Sequence, residues 1–348
     1  MKMNGWCRAS VLALLLAPVP APAELLLPPG FTAEVHVTGE GFRPPDAHGT
    51  RGIPAASTLA VDHAGFLYLA RTGRRYLGGG EADDLWPIYR IPPGGARLRP
   101  ETDANYFHGP PLPSAQVAAI RAGRELFVTT FDRERKIGVL YRLLDGRAGL
   151  FAGGTPDPGT PPLLKQPEGA AVDAAGNLYV ADRFQGLVVR LDPSGRVLDP
   201  RYVVVGKPRV LATDGMGRLW IGSDGDAEAP WQNGLGEIWR VGPDGAPRLV
   251  LRGPIPAGMS VGPGGHLFVA DRHGAQIFVI GPDGARTGFA RFTDGDAPRS
   301  LSFAPLTAET RRAGIAGALF VIAISRGQWP VNEVIRISGP FEEFLRRR

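Results

Sequence analysis

The fold is decided by one stretch: Gln166-Pro167-Glu168-Gly169-Ala170-Ala171-Val172-Asp173, the turn Ala174-Ala175-Gly176-Asn177, then Leu178-Tyr179-Val180-Ala181-Asp182-Arg183. After a short loop it continues as Gly186-Leu187-Val188-Val189-Arg190-Leu191 and closes on Asp192-Pro193-Ser194-Gly195. Each run is six to eight residues long, rich in apolar side chains, and bounded by Gly, Pro, Asn or Asp. Runs of that length between such breakers read as short buried strands joined by tight turns. The same order returns from Ile255-Pro256 through Leu267-Phe268-Val269-Ala270-Asp271-Arg272 and Gln276-Ile277-Phe278-Val279-Ile280 to Gly281-Pro282-Asp283-Gly284.

Four looser copies complete the set, so that units start near residues 53, 112, 166, 207, 255 and 297. Their second strands begin at Leu67, Leu126, Leu178, Leu219, Leu267 and Leu319. The intervals of roughly 40 to 60 residues suit a blade of four antiparallel strands plus loop insertions. One small sheet cannot bury both its faces, whereas blades stacked around an axis bury each other. The sequence therefore predicts an all-β six-bladed β-propeller spanning residues 24–348 as a single domain. The last unit lacks a fourth strand, and the alternating run 31–37 belongs to no other unit, so it is expected to supply that strand and close the ring. With 48 glycines and 34 prolines among 348 residues, a long helical bundle is excluded, while 43% hydrophobic content excludes disorder as the main state.

Residues 1–23 read as a secretory leader: Lys2 and Arg8, a short apolar run over 11–17, and Ala21-Pro22-Ala23 before Glu24. The run is too short to span a bilayer, and no later apolar stretch reaches about 20 residues. The single cysteine, Cys7, falls inside the leader without a lipobox before it, so the exported chain, periplasmic or extracellular, carries no disulfide. Loss of Lys2 and Arg8 lowers the formal charge of +5 by two. Only four of the 39 basic residues are lysine, and no basic run is interleaved with aromatics apart from Arg346-Arg347-Arg348. Nucleic acid is therefore not the expected partner, and the chain is expected to be a monomer without a transmembrane anchor.

The pattern Pro-x-Gly-x-Ala-Val-Asp at 167–173, with Leu178-Tyr179-Val180-Ala181-Asp182 behind it, resembles the NHL repeat. The six-unit chain is similar to the wider group of six-bladed propellers that includes the gluconolactonases and the senescence-marker lactonases. The opening Leu26-Leu27-Pro28-Pro29-Gly30-Phe31 resembles the start of sorbosone/glucose dehydrogenase-like propellers. These resemblances speak for the fold; such propellers host enzymes and binders alike.

A residue that recurs at one blade position holds the blade, whereas a polar residue that occurs there once is a better functional candidate. Asp62 and Asp173 recur before the first turn and read as turn caps. Asp182-Arg183 and Asp271-Arg272 recur after the second strand and read as structural pairs or caps. The residues following each blade's leading proline do not repeat: Ala55, Ser114, Glu168, Arg209, Ala257 and Arg299. Glu168, Arg209 and Arg299 can converge on the channel mouth as a ligand site, or pair with one another and plug it. The loops 71–87, 222–236 and 325–332 fall on the same face and carry Trp86, Trp231 and Trp329 beside polar groups, which suits a sugar-like or ring-bearing ligand. The structural alternative is that each indole folds over its own blade.

Asp224, Asp226 and Glu228 offer oxygen ligands for Ca²⁺ or another divalent cation, although no twelve-residue loop with a closing Glu surrounds them. The lactonase resemblance implies a divalent ion held by acidic and amide groups at the mouth. Glu168 fits such a role, but Arg209 and Arg299 stand where the other ligands belong and repel a cation. The dehydrogenase resemblance implies a quinone cofactor, which arginines at the mouth suit. The sequence shows no Cys-x-x-Cys-His, Gly-x-Ser-x-Gly or His-Glu-x-x-His motif, and the six histidines show no ligand spacing. Of these, His48 and His108 lie in irregular segments within reach of the mouth. Three readings follow: a propeller binding a small polar or anionic ligand or a protein partner at its mouth, a metal-dependent lactonase, and a quinone-dependent sugar dehydrogenase.

Overall fold

The computed structural model describes residues 25–42, 52–72, 85–121, 124–132, 135–228, 232–242, 244–293, 295–325 and 331–346. The proposed leader lies outside them, as do His48, Trp231 and Trp329.

The chain folds into six four-stranded antiparallel blades. From the axis outward, blade I comprises Ala56–Val61, Leu67–Arg71, Leu85–Ile91 and Phe107–Pro113. Blade II comprises Gln116–Arg121, Glu125–Asp132, Ile137–Leu144 and Arg147–Gly153, and blade III Pro167–Val172, Leu178–Asp182, Leu187–Leu191 and Val197–Val204. Blade IV comprises Pro208–Thr213, Leu219–Ser223, Gly236–Val241 and Pro247–Gly253. Blade V comprises Pro256–Val261, Leu267–Asp271, Gln276–Ile280 and Arg286–Phe292. Blade VI comprises Asp296–Phe303, Leu319–Ser325 and Val331–Ser338, and its fourth strand is Thr32–Gly39 from the N-terminal region. The inner strand of each blade packs on that of the next until the sixth meets the first, so the ring is closed.

Alternation along the strands explains why the blades stack. Successive side chains point to opposite faces of a sheet. In blade III, Leu178 and Val180 enter an apolar core shared with blade II, while Tyr179 and Ala181 enter one shared with blade IV. Six such cores are formed, one at each junction between neighbouring blades. The second strands of blades I, III, IV and V are buried along their whole length, as strands covered on both faces must be.

Hydroxyl groups of the first and second strands stitch neighbouring blades together. The Thr58 hydroxyl accepts from the Val117 amide, Thr129 donates to the Glu168 carbonyl, and Thr213 donates to the Val172 carbonyl. Ser260 accepts from the Phe303 amide and Ser300 from the Leu59 amide, across the last two junctions. Close approach also requires glycine: a Cβ on Gly169 would lie 2.6 Å from the Arg209 carbonyl oxygen.

The turns between first and second strands are held by a repeated aspartate. Oδ1 of Asp62, Asp173 and Asp214 accepts two backbone amides each. The other oxygen accepts from Tyr68 Oη, Tyr179 Oη or Trp220 Nε1. Asp182 and Asp271 accept the Gln185 and Gly274 amides of their following loops, and Asp182 also accepts the Lys165 amide from the segment before blade III, so both act as caps. Two short helices, Ala308–Arg312 and Phe341–Arg346, complete the chain. The second packs Phe341 and Phe344 against Phe31 and Phe289, so the two terminal regions share one aromatic cluster.

Candidate functional site

The face that carries the loops between second and third strands also carries the upper ends of the inner strands. Equivalent positions on it follow from the pairs Val61–Leu67, Ile120–Leu126, Val172–Leu178, Thr213–Leu219, Val261–Leu267 and Phe303–Leu319. Four residues back from the first member of each pair, the lip of the channel reads Ser57, Gln116, Glu168, Arg209, Ala257 and Arg299. Two lip positions therefore differ from the sequence expectation. Ile53–Pro54 pairs with Val331 and Asn332 of blade VI, so the chain enters blade I two residues later than its proline suggests, and Ser57 replaces Ala55. By the same register Gln116 replaces Ser114.

At the junction of blades III and IV the lip is a buried charge network. Glu168 is 4% exposed. Its Oε2 accepts from Gln116 Nε2 at 2.5 Å and Arg209 Nη1 at 3.4 Å, and its Oε1 accepts from Gln166 Nε2 at 2.9 Å. Arg209 reaches Asp224 with two nitrogens, Nε to Oδ1 at 2.8 Å and Nη2 to Oδ2 at 2.6 Å. Arg183 Nε adds a third bond to Asp224, at 2.8 Å, and its Nη2 donates to the Glu228 carbonyl. Asp224 is 0% exposed. Burial alone raises its carboxyl pKa, but hydrogen bonds and charge from Arg209 and Arg183 prevail and hold it below the usual carboxylate range. Arg209 is held above its ordinary value in spite of burial by Glu168 and Asp224.

Across the ring, at the junction of blades VI and I, Arg299 Nη1 and Asn332 Nδ2 both donate to the Ala56 carbonyl, at 3.1 and 2.6 Å. The structure thus brings Glu168 and Arg209 into direct contact and places Arg299 at the equivalent position of another blade.

The remaining sequence candidates fare differently. Asp224, Asp226 and Glu228 do not gather as oxygen ligands. Asp224 is taken by two guanidiniums, Asp226 faces Arg252, and Glu228 accepts from Lys207 Nζ at 2.5 Å. Among the described residues no three His, Cys, Asp or Glu side chains form a metal-binding group. Trp86 folds over its own blade, its ring 3.7 Å from the guanidinium carbon of Arg71. That guanidinium is buried, with Nε on the Pro54 carbonyl and Nη1 on Tyr89 Oη, which in turn donates to Asp103. His108 lies in the outer strand of blade I, away from the axis. Sequence reasoning missed Gln116, Gln166 and Arg183 as members of the network. Counting back from the turn rather than forward from the proline would have found Gln116.

No family model matches the chain. It is 30% identical over 218 residues to lipoprotein LpqB of Mycolicibacterium smegmatis, an overlap of 58% of this chain and 33% of the relative. The chain thus spans about a third of the curated relative's length. Among solved structures it superposes on a putative oxidoreductase (glucose dehydrogenase) of Thermus thermophilus with a TM-score of 0.56 and 17% identity, covering 89% of this chain and 100% of the other. For the PQQ-bound aldose sugar dehydrogenase of Streptomyces coelicolor the TM-score is 0.53 and the identity 15%, covering 90% and 100%. An auxiliary nutrient binding protein of Bacteroides thetaiotaomicron gives 0.57 and 12%, covering 91% and 77%. At such identities the likeness is one of fold, and it agrees with the six blades seen here.

Proposed function

We propose that this chain is an exported propeller that binds a small anionic, sugar-like ligand at the mouth of its channel. One observation supports the reading: at the lip position shared by all blades the residues do not repeat, and they include Arg209, paired with Glu168 and Asp224 beside Arg183, and Arg299, which stands across the ring on the Ala56 carbonyl. Guanidinium forks recognise carboxylates and other planar anions bidentately. The lipoprotein relative supports export, and no helix among the described residues is long and apolar enough to cross a membrane.

The test is thermal denaturation of the chain with D-gluconate, D-glucose and CaCl₂ in parallel. A ligand at a hundred times its Kd stabilises the native state by about 2.7 kcal/mol. Gluconate is expected to raise Tm in a concentration-dependent way, glucose less so, and Arg299→Ala is expected to abolish the gluconate response. No response to gluconate, or an undiminished one in Arg299→Ala, overturns the assignment.

A second reading, a quinone-dependent sugar dehydrogenase, draws support from the superposition on two sugar dehydrogenases. An anionic quinone suits the same arginines. Incubation with pyrroloquinoline quinone followed by dye reduction on aldoses tests it, and absence of reduction removes it.

A further inference from the structure

The strand that closes the ring, Thr32–Gly39, is gripped from both sides. Along blade VI it pairs Thr32 with Ser338, Ala33 with Ile337, Glu34 with Arg336 and Val35 with Ile335, and the register then slips so that Val37 faces Val334. On its other edge Val37, Thr38 and Gly39 pair in parallel with Ala96, Arg97 and Leu98, a segment from the third-to-fourth connection of blade I. The residue at the slip is His36, which has no Cα partner across the ladder.

His36 is 7% exposed. Its ring stands edge-on to Phe320 of the second strand of blade VI, centroid to centroid 4.8 Å. From the blade I side the turn before Ala96 presses on it so closely that a Cβ on Gly95 would lie 2.1 Å from the His36 carbonyl oxygen and 3.2 Å from Nδ1. Its Nε2 is buried without a hydrogen-bond partner.

Among the described residues, the charged groups on the packed elements are engaged elsewhere. On the closing strand Glu34 is engaged by Arg336 Nη2 at 2.7 Å. On the third strand of blade VI, Glu333 accepts from the Thr38 hydroxyl at 2.6 Å, and Arg336 is itself a cation. On the blade I segment Arg97 and Arg99 both face Glu40.

We propose that this strand is an acid-labile clasp whose trigger is His36. When the strand is seated, a proton added at Nε2 is cut off from water, meets no acceptor among the described residues and lies in the field of Arg336. When the strand detaches, the imidazole returns to water and accepts the proton freely. In agreement with that geometry, burial and the Arg336 charge hold the ring's pKa down at about 4. The sign follows: the closed form excludes a proton that the open form binds, so closure weakens as pH falls from about 6.5 toward 4, by at most about tenfold per pH unit.

Hydrogen exchange tests the clasp. Amide protection across 32–39, corrected for intrinsic exchange, is expected to fall several-fold between pH 6 and pH 5, while protection across 167–172 holds. In His36→Gln the fall is expected to vanish. In His108→Gln, which removes a half-buried histidine whose pKa burial also lowers, it is expected to persist. Protection of 32–39 that ignores pH, a fall that survives in His36→Gln, or one lost in His108→Gln overturns the proposal. Should His36→Gln not fold, the imidazole of the unmodified chain is followed by NMR: titration below pH 5 supports the clasp, and titration near 6.5 refutes it.

Discussion

The two faces of the ring are built from the same strands by different rules. On the face away from the mouth, the turns repeat: Asp62, Asp173 and Asp214 each hold two amides, and Gly65, Gly176 and Gly217 follow three residues later with φ of +86°, +83° and +74°. Glycine tolerates that conformation without a steric penalty. On the mouth face the same left-handed region is taken by residues that carry side chains: Ala55, Ser114, Lys136, Lys207 and Ala275. Asp145 is the one described non-glycine residue of this kind on the opposite face. Left-handed backbone costs an L-residue about 1–2 kcal/mol, and such positions cluster where the surroundings over-determine them, which is where sites are found. One face is standardised for stability, whereas the other departs from the standard blade by blade.

Substitutions can break that contrast. The largest effect is expected from Asp224→Ala at the mouth, which strands Arg183 and Arg209 without their shared carboxylate. Removing one member of a buried ion network costs about 3–5 kcal/mol, measured by denaturant unfolding. A loss under about 1 kcal/mol would mean that the network contributes little to the fold. Because Asp224 is held below the usual carboxylate range, its share of stability is present at neutral pH and is lost as pH falls through its depressed pKa. The variant should therefore show a flatter acid limb than the parent.

Next comes Asp173→Ala on the repeated face, which unpairs two amides and Tyr179 Oη. About 1–2 kcal/mol is expected, with ligand response at the mouth unchanged. A change in that response would show that the faces are coupled. Gly176→Ala, at φ +83°, is expected to cost about 1–2 kcal/mol. The smallest effect is Ala275→Gly on the mouth face, where relief of strain at φ +51° is expected to stabilise by up to about 1 kcal/mol. Destabilisation there would show that the methyl group earns its place by packing.

The same contrast governs how much the sequence disclosed. The blade count and the N-terminal closing strand were legible because alternation and turn residues repeat with the strands. Glu168, Arg209 and Arg299 stood out because they break the repeat. The lip of blade I was misread because Pro54 looks like a blade start yet pairs with Val331 of blade VI, and that of blade II because Pro113 ends the fourth strand of blade I, tertiary pairings that no local pattern announces. Of the two readings open for Trp86, a ligand contact at the mouth or a fold over its own blade, the second describes its place: Arg71, fifteen residues before it on the neighbouring strand, captures its ring. The acidic run Asp224, Asp226 and Glu228 resembles a ligand set in one dimension. In three, the basic groups that claim it come from other loops and strands, Arg183, Lys207, Arg209 and Arg252.

Strand Thr32–Gly39 is synthesised before the blades it closes, yet its antiparallel partner, Val331–Ser338, follows all of their other strands. The polypeptide between them must leave the ribosome, and any translocation pore it crosses, before the two can meet. Contacts of such sequence separation close slowly. Until then the first strand travels with a bare hydrogen-bonding edge, which makes the nascent chain a natural client for holding chaperones.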